Sequence, residues 1–169
     1  LLDLINREIR QSSPENPGLI IAKMNSLCHP EIVNKLYEAS QAGVKILLNI
    51  RGICTLVPGL KGISDNIKVV SVIDRYLEHS RICYFQNGGD EELFLSSADW
   101  MERNLDRRVE LMFPVTDTQI FKTVKEVLML YFADNTQSHV LTENGTWIPL
   151  EPTENEPTVR AQEELYSIY

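Results

Sequence analysis

Two apolar runs separated by a helix-length segment constrain this chain more than anything else in it. Leu19-Ile20-Ile21-Ala22 and residues 44–50 are each about one strand long and read as buried strands. Between them Pro30 opens a helix that runs to about Ala42, with Gly43 as its C′ residue. Strand, helix, strand in that order predicts a parallel pair joined by a right-handed crossover.

An amphipathic helix precedes this unit. Leu1, Leu2, Leu4, Ile5 and Ile9 follow the 3.6-residue period over residues 1–12, and Ser13-Pro14-Glu15-Asn16-Pro17-Gly18 breaks it. After the second strand, residues 52–66 carry Pro58-Gly59 and read as a loop. Further strands are expected at 67–73, 81–85, 92–97 and 107–114, with Asn87-Gly88-Gly89-Asp90 as a hairpin-type turn. Asp117 is placed to cap a helix running to about Phe132, with Phe121, Val124, Val127, Leu128 and Tyr131 on its apolar side. Residues 138–150 read as a short hairpin around Asn144-Gly145. Residues 151–157 read as an acidic, proline-bearing linker, and 159–166 as a short helix. The expected fold is α/β, a mixed β-sheet flanked by helices. It divides into a unit over 1–132 and a C-terminal hairpin, linker and short helix over 133–169. Ligands of such sheets gather where loops leave the carboxyl ends of strands, and Arg51 stands at such an end.

Composition narrows the class. A chain of 169 residues with 43% hydrophobic and 24% charged residues suits one soluble globular domain. No run approaches the ~20 apolar residues of a membrane span. The start at Leu1-Leu2-Asp3-Leu4 has no initiator Met, and its helical pattern is already under way. The chain is therefore expected to begin inside a larger protein. Cys28, Cys54 and Cys83 form neither a metal pattern nor a disulfide framework, and reduced thiols of a cytoplasmic protein are expected. A net charge of −8 argues against a nonspecific nucleic-acid binder. It leaves room for a polyanionic ligand held by a few inward-facing arginines.

The residues able to do chemistry are few. His29 precedes a helix and His139 lies in a polar stretch, so both have structural readings. His79 stands in Arg75-Tyr76-Leu77-Glu78-His79-Ser80-Arg81, just ahead of an apolar strand. Arg51-Gly52 sets a guanidinium beside a residue without a side chain, and Arg103, Arg107 and Arg108 cluster near the last expected strand. The guanidinium fork suits phosphate oxygens, although Asp99, Glu102, Asp106 and Glu110 interleave with that cluster and offer ordinary ion pairs. Alternation along a strand at 107–114 points one of Arg107 and Arg108 inward. Ser96-Ser97-Ala98-Asp99-Trp100 offers either phosphate donors or an ST-type turn. Lys23 and Asn25, at the end of the first strand, can join the same rim. No P-loop and no zinc-ligand spacing is present.

Longer strings carry more. Ala22-Lys23-Met24-Asn25-Ser26-Leu27, Tyr37-Glu38-Ala39-Ser40-Gln41-Ala42-Gly43-Val44-Lys45-Ile46, Ile50-Arg51-Gly52-Ile53-Cys54 and Leu77-Glu78-His79-Ser80-Arg81-Ile82 occur in order. Leu95-Ser96-Ser97-Ala98-Asp99-Trp100-Met101 and Arg103-Asn104-Leu105-Asp106-Arg107-Arg108-Val109-Glu110 follow them. Over residues 1–132 this resembles the last domain of the ATP-dependent bacterial polyphosphate kinases. That resemblance implies a phospholipase D-like fold in which two similar domains face each other across the active site. His79-Ser80-Arg81 resembles that superfamily's H-x-K element with arginine in place of lysine, a departure that counts against a simple phosphodiesterase.

The resemblance further implies roles. The phosphoryl-carrying histidine belongs to a preceding domain absent here, and His79 faces it as an acid/base and ATP-contacting residue. Arg51 and Arg108 contact nucleotide phosphates. The ligands of Mg2+ lie outside this chain, and no metal residue is assigned within it. ATP or ADP and polyphosphate are the substrates, the preceding domains are partners, and the full enzyme is a homo-oligomer. The enzyme is cytoplasmic, with membrane association of the full protein left open. Two rival readings are a phospholipase D-like phosphodiesterase subdomain using His79 as its acid, and a non-catalytic phosphate- or nucleotide-binding module.

Overall fold

A computed structural model describes residues 1–168. In chain order the elements are α1 (Leu2–Gln11), β1 (Leu19–Met24), α2 (Pro30–Gln41), β2 (Lys45–Ile50), β3 (Ile67–Val72), β4 (Arg81–Phe85) and β5 (Glu92–Ser96). They continue as α3 (Glu102–Leu105), β6 (Met112–Pro114), α4 (Thr118–Ala133), β7 (Ser138–Leu141), β8 (Trp147–Pro149) and α5 (Ala161–Ile168). The eight strands form one sheet in the order β6-β5-β4-β1-β2-β3-β7-β8. β1, β2 and β3 run parallel, and every other pairing is antiparallel.

Strand alternation assigns the two faces. Ile20, Ala22 and Met24 of β1, Ile46 and Leu48 of β2, and Cys83 and Phe85 of β4 pack with Ile5 of α1 and Leu36 and Ala39 of α2. Their neighbours Ile21, Ile82 and Tyr84 point the other way, onto Leu128, Phe121 and Val124 of α4. Val72, Tyr131 and Ala161 join β3, α4 and α5 in a smaller cluster on that second face. Helices thus cover both faces, which is why most positions of the central strands are apolar. α4 starts as its sequence demands, with Asp117 accepting from Gln119 N and Ile120 N at 2.9 Å. α2 is preceded by His29, whose Nδ1 accepts a long 3.5 Å bond from Ile32 N, so His29 is the cap itself. Gly43 follows α2 at φ +87°, where a side chain would be strained.

Two expectations are corrected. The strand expected over 107–114 is only Met112–Pro114, and a short helix, Glu102–Leu105, precedes it. Leu105 N and Asp106 N close on Met101 O and Glu102 O, so the chain is still turning at Arg107 and cannot join the sheet. Arg107 and Arg108 are both exposed, and the alternation that pointed one of them inward does not apply. The hairpin expected over 138–150 is formed by β7 and β8, and β7 pairs antiparallel with β3, so it extends the sheet. Among the described residues no helix is long and apolar enough to cross a membrane.

Candidate functional site

The pairing register collects the polar residues at one edge of the sheet. β1 and β2 run parallel with Met24 opposite Ile50, so Asn25 and Arg51 leave the same edge side by side. β4 runs against β1 with Ile82 opposite Lys23, so its first residue, Arg81, starts where β1 ends. Arg81 pairs with Ser96, so β5 also ends here and delivers Asp99 three residues later.

A buried carboxylate ties these segments together. Asp99 is 4% exposed and accepts from Asn25 N at 2.8 Å, Asn25 Nδ2 at 3.2 Å and Ser26 N at 3.3 Å. Arg81 adds Nε at 3.2 Å and Nη2 at 3.1 Å, a bidentate fork. Burial pushes the Asp99 carboxyl up, but these donors outweigh it and hold the group below its ordinary value. Asn25 passes the connection on, its Oδ1 accepting from Arg51 Nε at 2.6 Å. The Arg51 guanidinium is thus aimed through one nitrogen, and among the described residues it meets no carboxylate within 4.0 Å. Gly52 allows this geometry: a Cβ there would stand 2.8 Å from Asn25 O and 3.1 Å from Ser26 Oγ. The close approach is made by the Asn25 backbone and the Ser26 hydroxyl.

His79 sits on the opposite flank, exposed, with Nδ1 3.0 Å from Arg81 Nη1; the same nitrogen donates to His79 O at 2.9 Å. Arginine has only donors, so Nδ1 accepts and the neutral ring carries its proton on Nε2. In this state His79 offers an Nε2–H to a ligand oxygen. Giving that proton away would leave an imidazolate, so to act as an acid the ring must first lose the Arg81 contact and gain a proton at Nδ1.

Lys23 lies beneath the site at 2% exposure. Its Nζ donates to Ser80 Oγ at 3.0 Å and Ser80 O at 3.2 Å, stands 3.7 Å from Glu78 Oε2, and lies 4.8 Å from the Tyr131 ring centre. Burial lowers its pKa to about 8, against the pull of Glu78. Lys23 is therefore a support under the loop that carries His79.

Arg108 is set apart from this chain of hydrogen bonds. It lines a groove with Ser96, Asn104 and Glu110, and the Glu110 carboxylate feels both Arg108 and Arg81. The hydroxyls of Ser96 and Ser97 are spent internally: Ser96 Oγ accepts from Ala98 N at 3.0 Å, and Ser97 Oγ bonds Glu110 and Leu111 N. The stretch is a turn. Asp99, Arg81 and Glu78 do the organising; the sequence marks Arg81 at the H-x-K position and Asp99 as an ion-pair acid, but only the β1–β4 and β4–β5 registers reveal that they pair with each other and with Asn25. A signal was present in Asp99, an acid directly following small residues at a strand end. A cavity of about 230 Å³ opens beside Arg51, lined also by Arg75, Tyr76 and Glu78.

The residues at this edge do not fit a magnesium ion. Both Asp99 oxygens and both Glu78 oxygens are taken by donors, and the described residues contain no group of three His, Cys, Asp or Glu that could hold a metal.

An eight-stranded mixed sheet, covered on both faces and with the linked Asp99, Arg81, Asn25 and Arg51 side chains at one edge, makes this an α/β domain with a polar rim. Residues 1–162 match the family described as Polyphosphate kinase C-terminal domain 2, and the chain belongs to that family. It is similar to the polyphosphate kinase of Pseudomonas aeruginosa, 55% identical over 156 residues, covering 92% of this chain and 23% of the relative. The polyphosphate kinase of Rhodopirellula baltica is 53% identical over 166 residues, covering 98% of this chain. The chain spans 20% of that relative's length. The crystal structure of polyphosphate kinase from Porphyromonas gingivalis superposes with a TM-score of 0.93 at 42% identity, over 98% of this chain and 25% of that one. NucT from Helicobacter pylori shares the fold alone, at a TM-score of 0.54 and 15% identity.

Proposed function

We propose that this domain supplies the nucleotide- and phosphate-contacting half of a polyphosphate kinase active site. The enzyme takes ATP and polyphosphate as substrates and transfers the ATP γ-phosphoryl reversibly to the polymer. In the first step the bond from the γ-phosphorus to the bridging oxygen breaks as a bond to a histidine nitrogen forms, and ADP leaves with its charge. In the second, the phosphorus–nitrogen bond breaks as a terminal polyphosphate oxygen attacks. The histidine belongs to a preceding part of the longer protein, as do the ligands of magnesium.

One observation carries this reading. Arg51, which meets no carboxylate among the described residues, and His79, whose Nε2 has no hydrogen-bond partner among them, flank the same Asp99-centred network at the sheet's carboxyl edge. Phosphoryl transfer asks mainly for positioning and for cations around the equatorial oxygens. Arg51 supplies the charge, and His79 donates from Nε2 to a phosphoryl oxygen. Arg108 contributes a weaker, solvent-facing contact. The chain works joined to its preceding domains, within a cytoplasmic homo-oligomer.

The test is polymer synthesis from ATP by the full-length kinase. Arg51→Ala and His79→Ala should each lower it by about 10²-fold or more, the scale of losing one aligned charge-stabilising donor. Synthesis within threefold of the parent for either variant would overturn that residue's assignment. Release of alcohol from a phosphodiester would favour the phosphodiesterase reading instead.

A further inference from the structure

We propose that Gln162, on the C-terminal helix α5, is a positioning residue that holds the His79 loop in register with Arg51; this rests on the assignment of His79 to the phosphate site. The segment 73–80 joins β3 to β4 and belongs to no helix or strand. Ile73, Arg75, Tyr76, Leu77, His79 and Ser80 are all exposed, so the loop gains little from packing. It is nonetheless fixed at three points by side chains distant in sequence.

Gln162 makes the central attachment. Its Oε1 accepts from Tyr76 N at 2.8 Å and its Nε2 donates to Tyr76 O at 2.9 Å, so one side-chain amide closes both backbone groups, as a neighbouring strand would. Nε2 also donates to Glu78 Oε1 at 2.9 Å. The second Glu78 oxygen accepts from Tyr131 OH of α4 at 2.5 Å and faces Lys23 Nζ of β1 at 3.7 Å. Glu78 and Ser80, the two neighbours of His79, are therefore both gripped from below, Glu78 by three elements and Ser80 by Lys23. Upstream, Arg160 holds Asp74 with Nε at 2.9 Å and Nη2 at 2.7 Å. The start of α5 is itself locked, since Ala161 N donates to Asp134 Oδ2 at 2.8 Å.

Burial argues for a purpose. Gln162 is 6% exposed, and its amide is desolvated only because every bond it makes goes to the 76–78 segment. An apolar residue there would anchor α5 as well; a glutamine reads the loop. Arg51 hangs from Asn25 and not from this loop, so losing Gln162 should disturb His79 while leaving the Arg51 contact in place.

The experiment uses the full-length kinase with Gln162→Met, which keeps the volume and removes all three hydrogen bonds. Backbone amide exchange is followed by mass spectrometry on peptides covering 74–80 and on peptides from β1, β2 and β4, alongside ATP-dependent polymer synthesis. The expected result is exchange over 74–80 at least about tenfold faster with the strand peptides unchanged. The kcat should fall about tenfold or more with the KM for ATP within about threefold, as expected for a misplaced group in an otherwise intact site. Unchanged exchange over 74–80 overturns the clamp. Faster exchange with unchanged kcat overturns the positioning role. Faster exchange everywhere makes Gln162 a fold anchor and overturns it too. His79→Ala, run in parallel, separates the underlying reading: full activity of that variant removes the basis of the proposal whatever the exchange shows.

Discussion

Replacing Asp99 by Asn should destabilise the domain by about 3 kcal/mol, and the number follows from what the carboxylate holds. Asp99 receives five hydrogen bonds, two from Arg81 and three from the Asn25–Ser26 segment. The two side chains of the ion pair are 13% and 6% exposed. Removing one partner of a buried pair costs about 3–5 kcal/mol, because the other charge stays behind uncompensated. Arg81 keeps some contact with solvent, which sets the lower end of that range. The asparagine also turns an Nδ2 donor toward Arg81 or Asn25, both donors themselves, and so recovers little. At about 2–4 °C per kcal/mol for a domain of this size, Tm should fall by about 6–12 °C. Urea unfolding followed by tryptophan fluorescence suits the test, since Trp100 is the next residue and 2% exposed. The carboxyl is held below its ordinary 3.8, so the stability it adds is present above that pH and lost as pH falls through the folded value. The Asn variant should lack that acid-side loss. A destabilisation under about 1 kcal/mol would refute the view that this pair organises the rim.

Two further outcomes are expected. Gly52→Ala should lose about 1–3 kcal/mol, because its Cβ would stand 2.8 Å from the Asn25 carbonyl oxygen and must displace the backbone that aims Arg51; a loss below about 0.5 kcal/mol would contradict this. Burial lowers Lys23 to about 8 from 10.5, so the penalty of burying its charge is complete below pH 8 and is relieved as pH rises to 10.5. Relative to Lys23→Met, the parent should therefore gain roughly 3 kcal/mol across that window. The difference between the two pH curves is the readout, since the raised thiols Cys54 and Cys83 titrate in both proteins. A flat difference would sink the assignment.

The layered core was legible because it is written locally. Leu19 to Ala22 and, apart from Lys45 and Asn49, residues 44–50 are apolar on both faces, and a helix with a proline start and a glycine stop lies between them. The position of Arg51 just past the end of β2 was legible for the same reason, since a strand end is a local feature with a fixed address in an α/β sheet. Residues 107–114 resemble one strand because Val109 and Leu111 alternate with Arg108 and Glu110 and run on into the apolar Met112-Phe113. The structure leaves Val109 99% exposed and turns the chain through Arg107 first. What stayed hidden is the wiring of the rim. Asp99 meets Asn25 across 74 residues, Tyr131 meets Glu78 across 53, and Gln162 meets Tyr76 across 86. No periodicity or spacing encodes such pairs; only the sheet order brings them together. Arg81 shows the limit most clearly. In sequence it stands where the H-x-K element has its lysine, while in the fold it steers His79 and neutralises Asp99.

The claim that this domain contacts phosphate while the nucleophile lies elsewhere has one direct test. The full-length kinase is incubated with ATP labelled in the γ-phosphate, quenched in alkali to preserve phosphohistidine, and digested for mapping by mass spectrometry. The label should sit on a histidine outside residues 1–169, and Arg51→Ala should lower its yield. Label on His79 would contradict the account.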